Sequence, residues 1–190
     1  MNNLTEEHFD TTNIKDLNKY SNLVNVTFND LEITTNIINY LNNLDSLENV
    51  FFNKCTFSEL PKLTNIKGLH LCESKVDNID FLDNLNNITS LSLEYMNVNN
   101  LEVINKLKNL TTMSFTGSIL PDKLELSNSS IQELHIDGVV LNSIDNLFFP
   151  KELKSIYISK IQYLLNPEYF NELKKYGVEV NYGIDTELIN

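Results

Sequence analysis

A pattern of apolar residues returns about every 22 residues along this chain of 190. It is clearest at Leu110-x-x-Met113-x-Phe115. Ile88-x-x-Leu91-x-Leu93 precedes it, and Ile131-x-x-Leu134-x-Ile136 and Leu153-x-x-Ile156-x-Ile158 follow. A unit this short has too little apolar surface to fold alone. It is buried only by stacking on its neighbours, so a fixed period of this size implies a solenoid.

Unit starts fall at Leu4, Leu23, Leu47, Ile66, Ile88, Leu110, Ile131 and Leu153, and a ninth, incomplete unit is read from Lys175 with Val178 and Val180 as its apolar pair. The intervals are 19, 24, 19, 22, 22, 21, 22 and 22, irregular in the first half and regular in the second. Alternation such as Leu91-Ser92-Leu93 has period two and predicts a short strand in each unit. Stacking then gives one parallel sheet. The return segments carry wider apolar spacing, as in Val98, Leu101, Ile104, Leu107 and Leu110, which suits a short helix or 3-10 turn. The longest early unit, Ile33 to Leu47, has room for a true helix through Ile37, Ile38, Leu41 and Leu44.

The chain reads as a single domain over 1–190. Residues 1–22 form a degenerate first unit, with Glu7 at an apolar position, and 23–165 hold the central units. Residues 166–190 are expected to close the end, with a helix starting at Asn166-Pro167-Glu168 and a last strand after Gly177.

The pattern L-x-x-L-x-L-x-x-N-x-L, with return segments such as Val76-Asp-Asn-Ile79-Asp-Phe81-Leu82, resembles the leucine-rich repeat family. The resemblance is to its class of roughly 22 residues, which includes internalins and phosphatase-regulatory repeat proteins. It implies an α/β horseshoe with a parallel concave sheet and short helical or 3-10 convex segments. It also implies a non-enzymatic protein-binding module, acting as an inhibitor, immunity protein or regulatory subunit. The alternative is a structural or adhesion repeat fragment of a surface protein. One column departs from the family. Its ninth position usually carries Asn, bonded to buried backbone; here the column reads Thr12, Leu31, Cys55, Ser74, Met96, Ser118, Val139 and Ile161. The backbone groups beneath it need other partners, because an unpaired buried group costs about 1–3 kcal/mol.

Charge narrows the partners. The formal net charge is -12, which repels phosphate backbones, so a nucleic-acid partner is not expected and a basic protein surface is favoured. Every basic side chain is Lys, and Ala, Arg and Trp are absent while Asn is abundant, as in a protein from an AT-rich bacterial genome. No apolar run reaches the roughly 18 residues of a membrane span. The N-terminus shows no basic and apolar leader, and two cysteines make no disulfide framework, so a reducing cytoplasm is the expected location. A monomer, or a weak dimer through an open sheet edge, is expected.

Strand residues between the apolar ones point away from the core. The fifth column reads His8, Thr27, Phe51, His70, Ser92, Ser114, His135, Tyr157 and Glu179. The seventh includes Cys72, Glu94, Thr116 and Asp137, and the eighth includes Lys54, Glu73, Tyr95, Gly117, Gly138 and Tyr182. The candidate partner-binding residues on this concave face are Phe51, His70, Glu73, Glu94, Tyr95, His135, Asp137 and Tyr157, an aromatic and acidic set that suits an interface. No catalytic residue, cofactor or metal is expected. His70 and His135 stand three units apart, roughly 14 Å at the strand spacing, too far to share one ion. Cys55 is expected to be an inert core thiol, and Cys72 an exposed one that is able to react but has no neighbouring feature that lowers its pKa.

Overall fold

Each unit begins with an alternating apolar stretch, and the strands that these form lie side by side. The computed structural model describes residues 6–58, 62–76, 78–139 and 146–183. The strands are β1 (Glu6–Phe9), β2 (Asn25–Asn29), β3 (Glu32–Ile33), β4 (Asn49–Asn53), β5 (Thr56–Phe57), β6 (Gly68–Cys72) and β7 (Ser90–Glu94). They continue with β8 (Thr112–Ser114), β9 (Leu124–Glu125), β10 (Glu133–His135), β11 (Leu147–Phe148), β12 (Ser155–Ile158) and β13 (Glu179–Tyr182).

Nine of them form one sheet, in the order β1-β2-β4-β6-β7-β8-β10-β12-β13, with every neighbouring pair parallel. Two small parallel pairs, β3–β5 and β9–β11, line the return side. This is the leucine-rich repeat solenoid, and the strand-forming columns from β2 to β12 fall in the register that the period implies.

The core is a set of columns. In the fourth, Val26, Val50, Leu69, Leu91, Met113, Leu134 and Ile156 stack in register, each at most 1% exposed. Burying a side chain of this kind contributes about 1.5–3 kcal/mol. The sixth column starts with aromatics: Phe28 stacks between Phe9 (5.7 Å between ring centroids) and Phe52 (5.5 Å). Farther along, Leu71, Leu93, Phe115 and Ile136 fill the same column. At the N-terminal edge, Glu7 occupies the fourth column beside Val26 and is half-buried.

The return segments are helical where the spacing allows. α1 spans Thr35–Asn42 and buries Ile38 and Leu41. Shorter 3-10 turns cover Ile14–Lys19, Asp80–Asn84 and Glu102–Lys106. Two further helices, α2 (Lys160–Leu165) and α3 (Pro167–Lys175), precede β13. Ser159 and Gln162 form a reciprocal capping box at the start of α2. Phe170 of α3 is fully buried.

Two positions differ from the sequence expectation. In the last unit, β13 pairs Tyr157 with Asn181 and Ile156 with Val180. The unit therefore starts at Gly177, two residues after Lys175, because its return segment holds both α2 and α3. Glu179 moves to the third column, opposite Ser155. Tyr182 moves to the core side at the sheet's edge and stacks on Tyr163, with centroids 4.4 Å apart. In the eighth unit, the capping box turns the chain into α2, so Ile161 is 53% exposed and Gln162 takes the buried place instead.

The ninth column finds substitutes for Asn in alternate units. The Ser74 hydroxyl accepts from the Cys55 N–H (3.0 Å) and lies 3.1 Å from the Phe52 carbonyl. The Ser118 hydroxyl accepts from the Met96 N–H (2.9 Å) and donates to the Leu93 carbonyl (2.7 Å). The Gln162 amide donates to the Ile136 and Val139 carbonyls at 2.8 and 2.9 Å. Each bridging side chain reaches back to the sixth and ninth residues of the unit before it. Cys55, 0% exposed, adds a thiol bond to the Phe28 carbonyl at 3.4 Å. Burial pushes that thiol's pKa up, which keeps it protonated.

Candidate concave-face binding site

The sheet's outward face is set by register. Because neighbouring strands pair in parallel without slippage from β1 to β12, the fifth residues of successive units form a straight row across the sheet. Phe51 and His70 are adjacent in that row and stack face to face, with centroids 4.3 Å apart and planes 13° apart. His135 and Tyr157 do the same at 4.2 Å and 4°. All four are half-buried. The His135 ring also bonds Glu133 through Nε2, 2.8 Å from Oε1. Stacked rings one strand spacing apart hold each other upright, so neither pair has to be ordered by an incoming ligand.

Between the two stacks the row falls to short hydroxyl side chains, Ser92 and Ser114. Both bond one carboxylate oxygen of Glu94: the Ser92 hydroxyl donates to Oε1 at 2.6 Å and the Ser114 hydroxyl lies 3.1 Å from it. Ser114 is in turn 3.2 Å from the Thr116 hydroxyl. The centre of the face is thus a polar floor between two aromatic walls. Toward the N-terminal end an amide row takes over. Asn49 donates to Asn25 (2.7 Å), and Asn53 donates to Asn29 (3.2 Å).

The eighth residue of each unit turns the chain off the sheet. Asp30, Lys54, Glu73 and Tyr95 all have positive φ, between 47° and 55°, as do Gly117 (66°) and Gly138 (69°). The cause is a repeated bond. The eighth residue's N–H reaches the seventh carbonyl of the next unit, as in Glu73 to Glu94 (3.0 Å), Tyr95 to Thr116 (3.0 Å) and Gly117 to Asp137 (2.9 Å). An L side chain in this region costs on the order of 1–2 kcal/mol, which the ladder bond helps to offset.

This turn sorts the remaining candidates. Glu73 lies on the rim, with Lys54 Nζ 3.8 Å away. Tyr95 is also a rim residue, 59% exposed, and its ring lies over Gly117, where a Cβ would come within 2.4 Å of it. Asp137 is exposed in the turn that follows β10. The structure therefore brings Phe51, His70, Glu94, His135 and Tyr157 onto the sheet itself and sets Glu73, Tyr95 and Asp137 along one rim. The floor residues Ser92 and Ser114 are not among the candidates that the sequence singles out, although both stand in its fifth column.

Charge around Glu94 is uneven. Burial holds the His70 imidazole below the usual histidine range, against an opposing pull from Glu94. Burial, then the Glu94 and Glu73 carboxylates, push the Cys72 thiol up. Cys72 is half-buried rather than exposed as the alternation suggests, and its raised pKa leaves it without activation, in line with a sequence that shows nothing to lower it. Among the described residues, no group of three or more His, Cys, Asp and Glu is arranged to hold a metal ion. Nor is any helix among them long and apolar enough to cross a membrane.

No protein-family model matches the sequence. No curated protein matches it either. A solved structure does: internalin C2 from Listeria monocytogenes superposes with a TM-score of 0.58, over 93% of this chain and 79% of that one, at 19% sequence identity. At that identity the likeness speaks for the fold, which is the leucine-rich repeat solenoid built above.

Proposed function

We propose that this chain is a non-enzymatic binding module that holds one protein partner on its concave sheet. The observation that carries the reading is the pair of ordered stacks, Phe51–His70 and His135–Tyr157, standing on either side of a hydroxyl floor. Half-buried aromatic anchors fixed before binding are what interface hot spots require, since little side-chain entropy is then lost on association. Size is also suitable. A sheet with eight strand spacings of about 4.8 Å and strands of up to five residues offers ~600 Å² before its rims are counted. A standard interface uses about 800 Å² per partner. A net charge of -12 favours a partner with a basic surface.

The test is affinity capture from a lysate of the source cell, comparing the native chain with a Phe51→Ala/Tyr157→Ala variant that retains its circular dichroism and thermal transition. The reading expects a specific partner that the variant loses. A partner held equally by both proteins would move the binding surface off the concave sheet.

A further inference from the structure

Resting on that concave-face reading, we infer that the partner inserts an arginine side chain into the trough between the two stacks, its guanidinium lying on the His70 ring and pairing with Glu94.

The trough is defined by register. His70 and His135 are three strand spacings apart, roughly 14 Å, with only Ser92 and Ser114 between them in the row. Phe51 covers one face of His70 and Tyr157 covers one face of His135. Each imidazole therefore has its other face turned toward the trough. Ser92 is only 4% exposed, so it lies beneath its neighbours and leaves Glu94 and the rings to meet an incoming group.

Glu94 is the charge at the centre. Its Oε1 takes both serine hydroxyls. Among the described residues, no ammonium or imidazole nitrogen lies within 4.0 Å of its carboxylate. Lys54, on the same side of the sheet, is drawn to Glu73 instead. The His70 imidazole beside Glu94 is held toward its neutral form and so brings it no positive charge. A half-buried carboxylate bonded by hydroxyls alone, beside an imidazole face with no ring stacked on it, asks for a cation from outside.

Guanidinium fits better than ammonium. Its planar group stacks on a ring while its edge donates to a carboxylate, whereas a lysine brings a strongly hydrated point charge. This chain contains no Arg of its own, so no internal guanidinium competes for the seat.

The test is a titration followed by nitrogen-15 amide NMR, with acetyl-Gly-Arg-Gly-amide as the probe and its lysine and citrulline forms as controls. Citrulline keeps the shape and removes the charge. The inference expects saturable shifts at His70, Ser92, Glu94 and Ser114, a citrulline form at least about tenfold weaker, and loss of the arginine preference in Glu94→Gln. The glutamine oxygen still accepts the serine hydroxyls, so that variant keeps the floor intact. Equal binding of arginine and citrulline, shifts elsewhere, or no saturation in the millimolar range would overturn the inference. Its failure is distinguishable from failure of the concave-face reading. A captured partner released by Phe51→Ala/Tyr157→Ala but held normally by Glu94→Gln would remove the arginine seat and keep the face.

Discussion

The units from β2 to β7 and those built on β8 and β10 share one period but leave the sheet differently. The early strands β2, β4, β6 and β7 each run five residues, whether the interval to the next unit is irregular, as after β2 and β4, or 22, as after β6 and β7. β8 and β10 run three, although their intervals are regular. In those later units a tight turn closes at once, with the Ser118 N–H bonding the Phe115 carbonyl (2.9 Å) and the Val139 N–H bonding the Ile136 carbonyl (3.2 Å). Glycine at the third position of each turn, Gly117 and Gly138, allows it. In the early units Asp30, Lys54, Glu73 and Tyr95 must hold a left-handed conformation that glycine would adopt freely. Regular spacing in sequence thus reports the length of the return path, not the extent of pairing. The early half pairs further and carries an aromatic column; the later half saves backbone strain.

The largest expected effect is in the early core. Phe28→Ala removes the middle ring of the Phe9–Phe28–Phe52 column and should cost about 3–5 kcal/mol in urea unfolding. A loss under about 1 kcal/mol would mean that the early half does not depend on the column. Next come the bridging hydroxyls. Ser118→Ala strands the Met96 N–H and the Leu93 carbonyl, and Ser74→Ala does the same to Cys55 and Phe52. Each should cost about 1–3 kcal/mol per group left unpaired, and similar losses from both variants would show that the bridge serves both halves alike.

Smaller effects separate the turns. Gly117→Ala meets both the positive φ and the Tyr95 ring, whereas Gly138→Ala meets only the φ, with its nearest neighbours at 3.5 Å or more. Gly138→Ala should cost about 1–2 kcal/mol, and Gly117→Ala more. Conversely, Lys54→Gly should stabilise by up to about 1 kcal/mol once the lost Glu73 contact is allowed for. If it destabilises, the left-handed turn is not strained.

The smallest effect is on pH. Burial holds His70 below its usual value of 6.5, so the unfolded chain binds that proton first as pH falls. Stability from this group should therefore be complete above about 6.5 and decline through the window below it. His70→Phe keeps a ring against Phe51 and should flatten the slope of the urea midpoint between pH about 7.5 and about 5.5. An unchanged slope would remove His70 as a source of acid sensitivity.

The fold was legible because burial imposes period two on each strand and about 22 on the units. Where those rules are silent, the structure departs from the pattern. Val178 and Val180 are both apolar, so alternation fits either of two registers two residues apart, and only the space taken by α2 and α3 decides between them. Ile161 looked like a core residue from its column, but the Ser159 cap redirects the chain and buries Gln162. On the concave face, the row order already set Phe51 beside His70 and His135 beside Tyr157. The role of Ser92 and Ser114 was hidden because hydroxyls gain meaning only from the carboxylate they meet. The rim position of Tyr95 was hidden because nothing in the alternation shows that a tyrosine will adopt positive φ.

The most direct test of the account is calorimetric titration of the captured partner against three proteins: the native chain, Phe51→Ala/Tyr157→Ala, and Ile119→Ser, which alters a residue 65% exposed just past the turn that leaves β8. Hot-spot residues cost at least about 2 kcal/mol each when truncated. The account therefore predicts that the concave variant loses affinity by about 30-fold or more while Ile119→Ser binds as the native chain does. Unchanged affinity in the concave variant, with loss in Ile119→Ser, would contradict it and place the partner on the return side.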